Sequence, residues 1–253
     1  MALDTSDKTS NANNLTNNNG VTEVTTGLPF AGSSAAADFE LSSSQYLSIA
    51  DASQNGALDI TGDISIEVWV KLEQLPSTAG TVMRIVDKIL LTGDQRSYAF
   101  FVNTDDKLYM DWSETGAGAS YSRWSMDDAF DAGDVGNWVH VAVTVDVSAD
   151  TAVFYKNASA SAGTQALSGA TAIFNGTATF AVGARADGPI GYFDGQMDEL
   201  RIWNDIRTAQ EITDNYQSEV SQNSANLAFY LTYESIVSPS ASASSSAILF
   251  CAS

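Results

Sequence analysis

Two stretches of this chain alternate so strictly that they leave little freedom in the fold. Ile64, Ile66, Val68 and Val70 share one face of an extended segment, with Ser65, Glu67, Trp69 and Lys71 on the other. Val139, Val141, Val143 and Val145 likewise oppose Trp138, His140, Ala142 and Thr144. A side-chain period of two marks a strand with one face in a core, and β-branched residues suit that pleated surface. Further short apolar segments, separated by turn residues, cover 37–40, 46–50, 82–87, 98–103, 107–113, 152–156, 177–184, 197–203 and 227–233. Strands and helices do not alternate, which excludes a parallel α/β sheet. The pattern predicts an all-β sandwich of two antiparallel sheets. One short helix is expected after the 197–203 strand, because Thr208 stands three residues before Glu211, the spacing of a reciprocal N-terminal cap.

Composition narrows the function classes. With 44% apolar residues in 253, the chain can bury a proper core, as one large sandwich or two small domains. Its 11 Lys and Arg against 31 Asp and Glu give a formal charge of −20. That field repels phosphate backbones and anionic lipid, so neither nucleic-acid binding nor membrane docking is expected. The acidic excess is read either as a supply of cation ligands or as a solubilising surface. Cys251 is the only cysteine, which rules out an internal disulfide. No leader of basic and apolar residues and no membrane-length apolar run is visible. The chain is therefore read as a mature fragment, a cytoplasmic protein, or one released by assembly or lysis. Residues 1–20 read as a polar, Asn-rich loop of the sandwich, 21–220 as its body and 221–237 as a closing strand. Residues 238–253 read as a low-complexity tail whose end, 248–251, is apolar, either to dock on a neighbour or as a disordered end.

Several motifs then occur in one order. Asp7-Lys8-Thr9-Ser10-Asn11-Ala12-Asn13 is similar to an Asp-Ser-Ser-Gly-Asn-Gly-Asn loop, keeping Asp7, Asn11 and Asn13 but not the glycines. Ser43–Ile49 is similar to the strand that follows such a loop. Ile64–Lys71 resembles an Ile-Glu-Ala-Trp-Val strand, and Trp138–Thr144 a Trp-x-His-Val-Ala strand. Phe193–Trp203 matches a closing Phe-x-Gly-x-Ile-Asp-Glu-Val-Arg-Ile-Trp segment; in it Asp198, Leu200 and Ile202 alternate with Met197, Glu199, Arg201 and Trp203. Together these resemble the laminin-G-like, concanavalin A-like jelly-roll family, from Ala2 to Val220. The resemblance implies a jelly roll in a family whose members mostly bind rather than catalyse. In that family an aromatic strand usually precedes the opening loop. Here Leu227–Tyr233 reads like that strand, either closing the sandwich in permuted order or starting a second module.

Candidate sites follow. Ca²⁺ takes six to eight oxygens from flexible loops. The Asp7–Asn13 loop is rich in them, and the resemblance brings Asp198 up to that loop. Asp7 and Asp198 are the expected side-chain ligands of a structural calcium, with carbonyl oxygens from Asn11 and Asn13. The alternative is that Asp7 and Asn11 cap turns and Asp198 bonds a loop amide. For carbohydrate, Tyr121, Arg123 and Trp124 form a candidate ligand rim, with Tyr121 and Trp124 read as lying in the Gly- and Ser-rich loop Gly116-Ala117-Gly118-Ala119-Ser120, or else aromatics covering the end of the sandwich. Trp112 shares a face with Leu108 and Met110 and reads as core. The Glu-x-Asp-x-x-Glu triplet of glucanases on a related sandwich does not occur, and His140 is the only histidine. The expectation is a non-catalytic extracellular adhesion or carbohydrate-binding module. The alternative is a structural protein of a virion or cell surface. Its partner is then a glycan or a surface protein, and an oligomer stays open.

Overall fold

The two strictly alternating stretches become adjacent strands, with Val141 opposite Val68 and Val143 opposite Ile66. The computed structural model describes residues 3–234; positions 235–237 and the low-complexity tail lie outside the described residues. In chain order its strands are β1 (Thr16–Asn18), β2 (Thr22–Val24), β3 (Ala36–Phe39), β4 (Tyr46–Ile49), β5 (Ile64–Leu72), β6 (Met83–Leu90), β7 (Gln95–Val102) and β8 (Leu108–Ser113). They continue as β9 (Tyr121–Met126), β10 (Val139–Asp146), β11 (Thr151–Lys156), β12 (Ser159–Ser161), β13 (Gly163–Leu167), β14 (Phe180–Val182), β15 (Gly195–Trp203) and β16 (Leu227–Leu231).

These form two antiparallel sheets of eight strands. The front sheet runs β1-β4-β14-β6-β7-β8-β9-β13, and the back sheet β12-β11-β10-β5-β15-β3-β2, with β16 paired to β15. Between them lies one continuous core, in which Val68, Val70, Val141 and Val143 meet Tyr98, Phe100, Met110 and Trp112 from the front sheet. Strands β1, β2, β12 and β13 carry exposed residues and escape a reading based on apolar runs. A second helix, the single turn α1 (Pro76–Ala79), also appears, with Pro76 at its first position, where a missing amide does no harm.

Strand β15 departs from simple alternation. A bulge falls between Asp198 and Arg201, and Glu199 takes a positive φ of 54°. The extra residue shifts the phase, so Met197, Leu200 and Ile202 all enter the core, whereas strict alternation would set Met197 apart from the other two. Gly195 opens this strand at φ 133°, and a Cβ there would sit 2.1 Å from the Lys71 carbonyl oxygen, so only glycine lets β15 approach β5. β16 lies along the second half of β15, Phe229 opposite Ile202 and Leu231 opposite Leu200. The aromatic strand at the far end of the chain is thus a strand of this sandwich.

Helix α2 (Ala209–Asn215) has the expected cap: the Thr208 side chain accepts from the Glu211 amide and Glu211 returns a bond to the Thr208 amide. Its far end is held by the back sheet. Arg201 donates to the carbonyls of Asn215, at 3.1 Å, and Ser218, while Trp69 Nε1 donates to that of Tyr216 at 2.6 Å. A cation at the C-terminal end of a helix also meets its negative pole. Beneath the helix, Glu67 accepts from Trp203 Nε1 at 2.9 Å and lies 3.5 Å from His140 Nε2; Glu199 pairs with Arg201 and accepts from Tyr230 OH at 2.6 Å. Burial alone would raise the Glu67 carboxyl, but Arg201, His140 and Trp203 overcome it and hold the group at about 2. Burial keeps His140 below its usual range despite Glu67. The Glu-Trp-His-Arg motif residues therefore pin a helix.

Candidate ligand-binding cleft

On strands β6 to β9 every second side chain leaves the core and forms an outer face on the front sheet. Cross-strand register pairs Arg84 with Phe101, Phe101 with Tyr109, and Asp111 with Arg123. Arg123 grips Asp111 with both Nε, at 2.8 Å, and Nη2, at 2.6 Å, and Tyr121 OH donates to the same carboxylate at 3.2 Å. Arg84 bonds Asp87 at 2.9 Å and lies 4.4 Å above the Phe101 ring. Phe101 in turn stacks on Tyr109 at 5.5 Å. Guanidinium groups on ring faces gain from the ring quadrupole, which orders both partners. Above this layer opens a cleft of about 240 Å³, lined among others by Arg84, Arg96, Tyr121, Arg123 and Arg185.

The two aspartates beneath the guanidinium groups are at most 1% exposed. Burial pushes Asp87 up to about 7 against the pull of Arg84 and Arg185, and it raises Asp111 against the pull of Arg123. Both carboxylates are thus spent on orienting arginines. The cleft presents the half-buried ring of Tyr121 and N–H donors, a set suited to a ring with many oxygens.

Of the three residues of the candidate rim, Tyr121 and Arg123 line this cleft and Trp124 does not. Residues 121–126 form strand β9 and not a loop, and the period of two sends Trp124 to the other face, opposite Met110 and against the core. Reading Tyr121-Ser122-Arg123-Trp124 as a strand would have separated them. Arg84 with Asp87 on β6, Arg96 on β7 and Arg185 after β14 are brought to Tyr121 and Arg123 from other parts of the chain, and no spacing in the sequence announces that meeting. Trp112 is core, its Nε1 bonded to the Ala170 carbonyl at 3.0 Å.

The four residues expected to hold calcium divide. Asp7 and Asn13 meet: the Asp7 carboxylate accepts from the Thr9 amide, the Thr9 hydroxyl, the Asn13 amide and the Tyr230 amide at 2.9–3.2 Å. Asn11 donates from Nδ2 to the Ala228 carbonyl at 2.9 Å, and Asn13 Oδ1 accepts from the Asn55 amide at 3.0 Å. Asp198 has other partners, Ser33 Oγ at 2.6 Å and the Glu199 amide at 2.7 Å. Burial and the Glu199 charge push it up to about 8. N–H and O–H donors thus ring the Asp7 carboxylate, while Asp198 takes its bonds from Ser33 and Glu199. Among the described residues one carboxylate trio has one oxygen from each within 4.8 Å of the others, Glu40, Glu73 and Asp194, just after β3, just after β5 and just before β15.

The fold recurs in solved structures. The chain is similar to the binding domain of Paraclostridial Mosquitocidal Protein 1, with 13% identity and a TM-score of 0.59 over 81% of this chain and 47% of that one. It is similar to the botulinum neurotoxin serotype G binding domain, with 14% identity and a TM-score of 0.56 over 82% and 47% of the two chains. Domain 4 of AbnA, a GH43 extracellular arabinanase from Geobacillus stearothermophilus solved with arabinotriose, matches at 18% identity and a TM-score of 0.51, over 84% and 96%. The chain spans about half the length of the two toxin binding domains. At such identities the likeness is one of fold. No curated protein matches the chain. The family model of the Concanavalin A-like lectin/glucanases superfamily matches residues 41–213, more than half of the sequence, and the chain belongs to that family.

Proposed function

We propose that this chain is a non-catalytic carbohydrate-binding module, working outside the cell or on a surface, whose binding face is the cleft over β6 to β9. One observation carries the reading: Tyr121 and Arg123 are fixed side by side by the buried Asp111, beneath an open cleft. A tyrosine ring offers an apolar face to the C–H side of a sugar, while guanidinium N–H groups meet its hydroxyls. The arabinotriose complex of AbnA domain 4, a protein of similar fold, supports the same class of ligand. The lining includes a single carboxylate, Asp111, 1% exposed and bonded to Arg123, whereas glycoside hydrolysis by two carboxyl groups needs both at the ligand. That supports binding without catalysis.

The test is a glycan array followed by calorimetric titration of each hit. At least one oligosaccharide should bind, and Tyr121→Ala should abolish binding while lowering the melting temperature by only a few degrees. An array with no hits, or full binding by Tyr121→Ala, overturns the reading.

A further inference from the structure

Four of the six arginines in the chain line this one cleft, although acidic residues outnumber basic ones 31 to 11. Arg84 comes from β6, Arg96 from β7, Arg123 from β9 and Arg185 from the segment after β14, and no lysine lines the cleft. Gathering like charges raises their mutual repulsion, and a solubilising surface disperses them instead. Arginine in place of lysine is also informative, because its planar fork matches carboxylate and sulfate oxygens two at a time.

The guanidinium groups are only partly satisfied by the protein. Asp111 takes Nε and Nη2 of Arg123, leaving Nη1 outside the pair. Arg84 gives Nη1 to Asp87, and its buried Nε has no acceptor among the described residues. Arg185 donates from Nε to the Asp187 carbonyl at 3.3 Å, and Arg96 from Nη1 to Asp94 at 2.7 Å and to the Gly116 carbonyl at 3.0 Å. Each bond holds one edge of a fork. Asp87, Asp94 and Asp111 each pair with one arginine, Arg84, Arg96 and Arg123, so the surplus positive charge at the cleft is that of Arg185, and the paired guanidinium groups offer their remaining N–H donors.

We propose that the ligand of this cleft is an anionic saccharide, its carboxylate or sulfate group received by Arg96, Arg123 and Arg185 and its ring set against Tyr121. This deepens the carbohydrate-binding reading and rests on it. Two matched pairs test the charge: trigalacturonate against its methyl ester, and sulfated against unsulfated cellotriose, titrated calorimetrically into the protein. In at least one pair the charged member should bind about ten-fold or more tightly than its neutral partner, as expected for added charge-assisted hydrogen bonds. The pair that responds identifies carboxylate or sulfate as the recognised group. Affinity should drop between about 20 and about 200 mM salt as the field is screened. Arg185→Gln and Arg96→Gln, which leave Asp87 and Asp111 paired, should each weaken binding several-fold while the melting temperature stays put. Equal binding of charged and neutral members, no binding of any of the four, or no effect of either variant overturns the anionic ligand. Neutral glycans that still bind and still need Tyr121 would leave the carbohydrate reading standing, and an empty array would remove both.

Discussion

Asp7 ties the start of the chain to its last strand, and its removal puts a number on that tie. Its carboxylate serves the backbone amides of Thr9, Asn13 and Tyr230, residues that are 7%, 1% and 1% exposed. Asp7→Ala leaves three amides with no acceptor in a place where water has little access. An unsatisfied buried donor costs about 1–3 kcal/mol. With some relaxation of the loop, the loss should be about 3–5 kcal/mol. For a chain of this size that lowers the melting midpoint by roughly 10 °C. Asp7→Asn keeps the shape and one oxygen, and should lose about half as much. Urea and thermal unfolding measure both variants. A loss below about 1 kcal/mol for Asp7→Ala would refute the hydrogen-bonded tie. The same experiment decides about calcium. With the carboxylate already occupied by donors, the wild-type midpoint should be identical with chelator and with added calcium. A chelator-dependent fall that disappears in Asp7→Ala would show instead that a cation sits there.

Other outcomes follow from the buried charges and from the two faces of β9. The folded state holds Asp87 at about 7 against an unfolded value of 3.8, so the native protein binds the extra proton between those values and stability falls as pH rises through them. Asp87→Asn should therefore be the more stable protein by about 2–4 kcal/mol at about pH 8, with the gain gone below about pH 4; denaturant midpoints against pH measure it. Glu67 behaves oppositely. Its folded value of about 2 lies below the ordinary 4.5, so its contribution is present above 4.5 and lost as pH falls toward 2. Glu67→Gln should flatten that acid limb in the same titration. Trp124→Ala removes a half-buried ring packed against the core and should lose about 2–3 kcal/mol, whereas Tyr121→Ala should lose under about 2 kcal/mol and be read in binding instead.

Much of the architecture is written locally. Alternation in β5 and β10, the cap at Thr208 and the motif order along the chain each depend on residues a few positions apart, and period and turn chemistry act at that range. They were enough to specify two antiparallel sheets, a helix after β15 and the family. Local pattern failed where one residue breaks the period or where apolar content is low. The bulge at Glu199 moved Met197 into the core, and β9 was mistaken for a loop because Gly116–Ser120 run directly into it. The cleft lies beyond sequence reading for a different reason. Tyr121 and Arg123 are visible as neighbours, but Arg84, Arg96 and Arg185 are brought to them by the order β14-β6-β7-β8-β9. Nor does anything local say that the oxygens of Asp7 will be taken by Tyr230, more than two hundred residues away. Which strands are neighbours is settled by burial of the whole core, and the side chains that face solvent from those strands are gathered as its consequence.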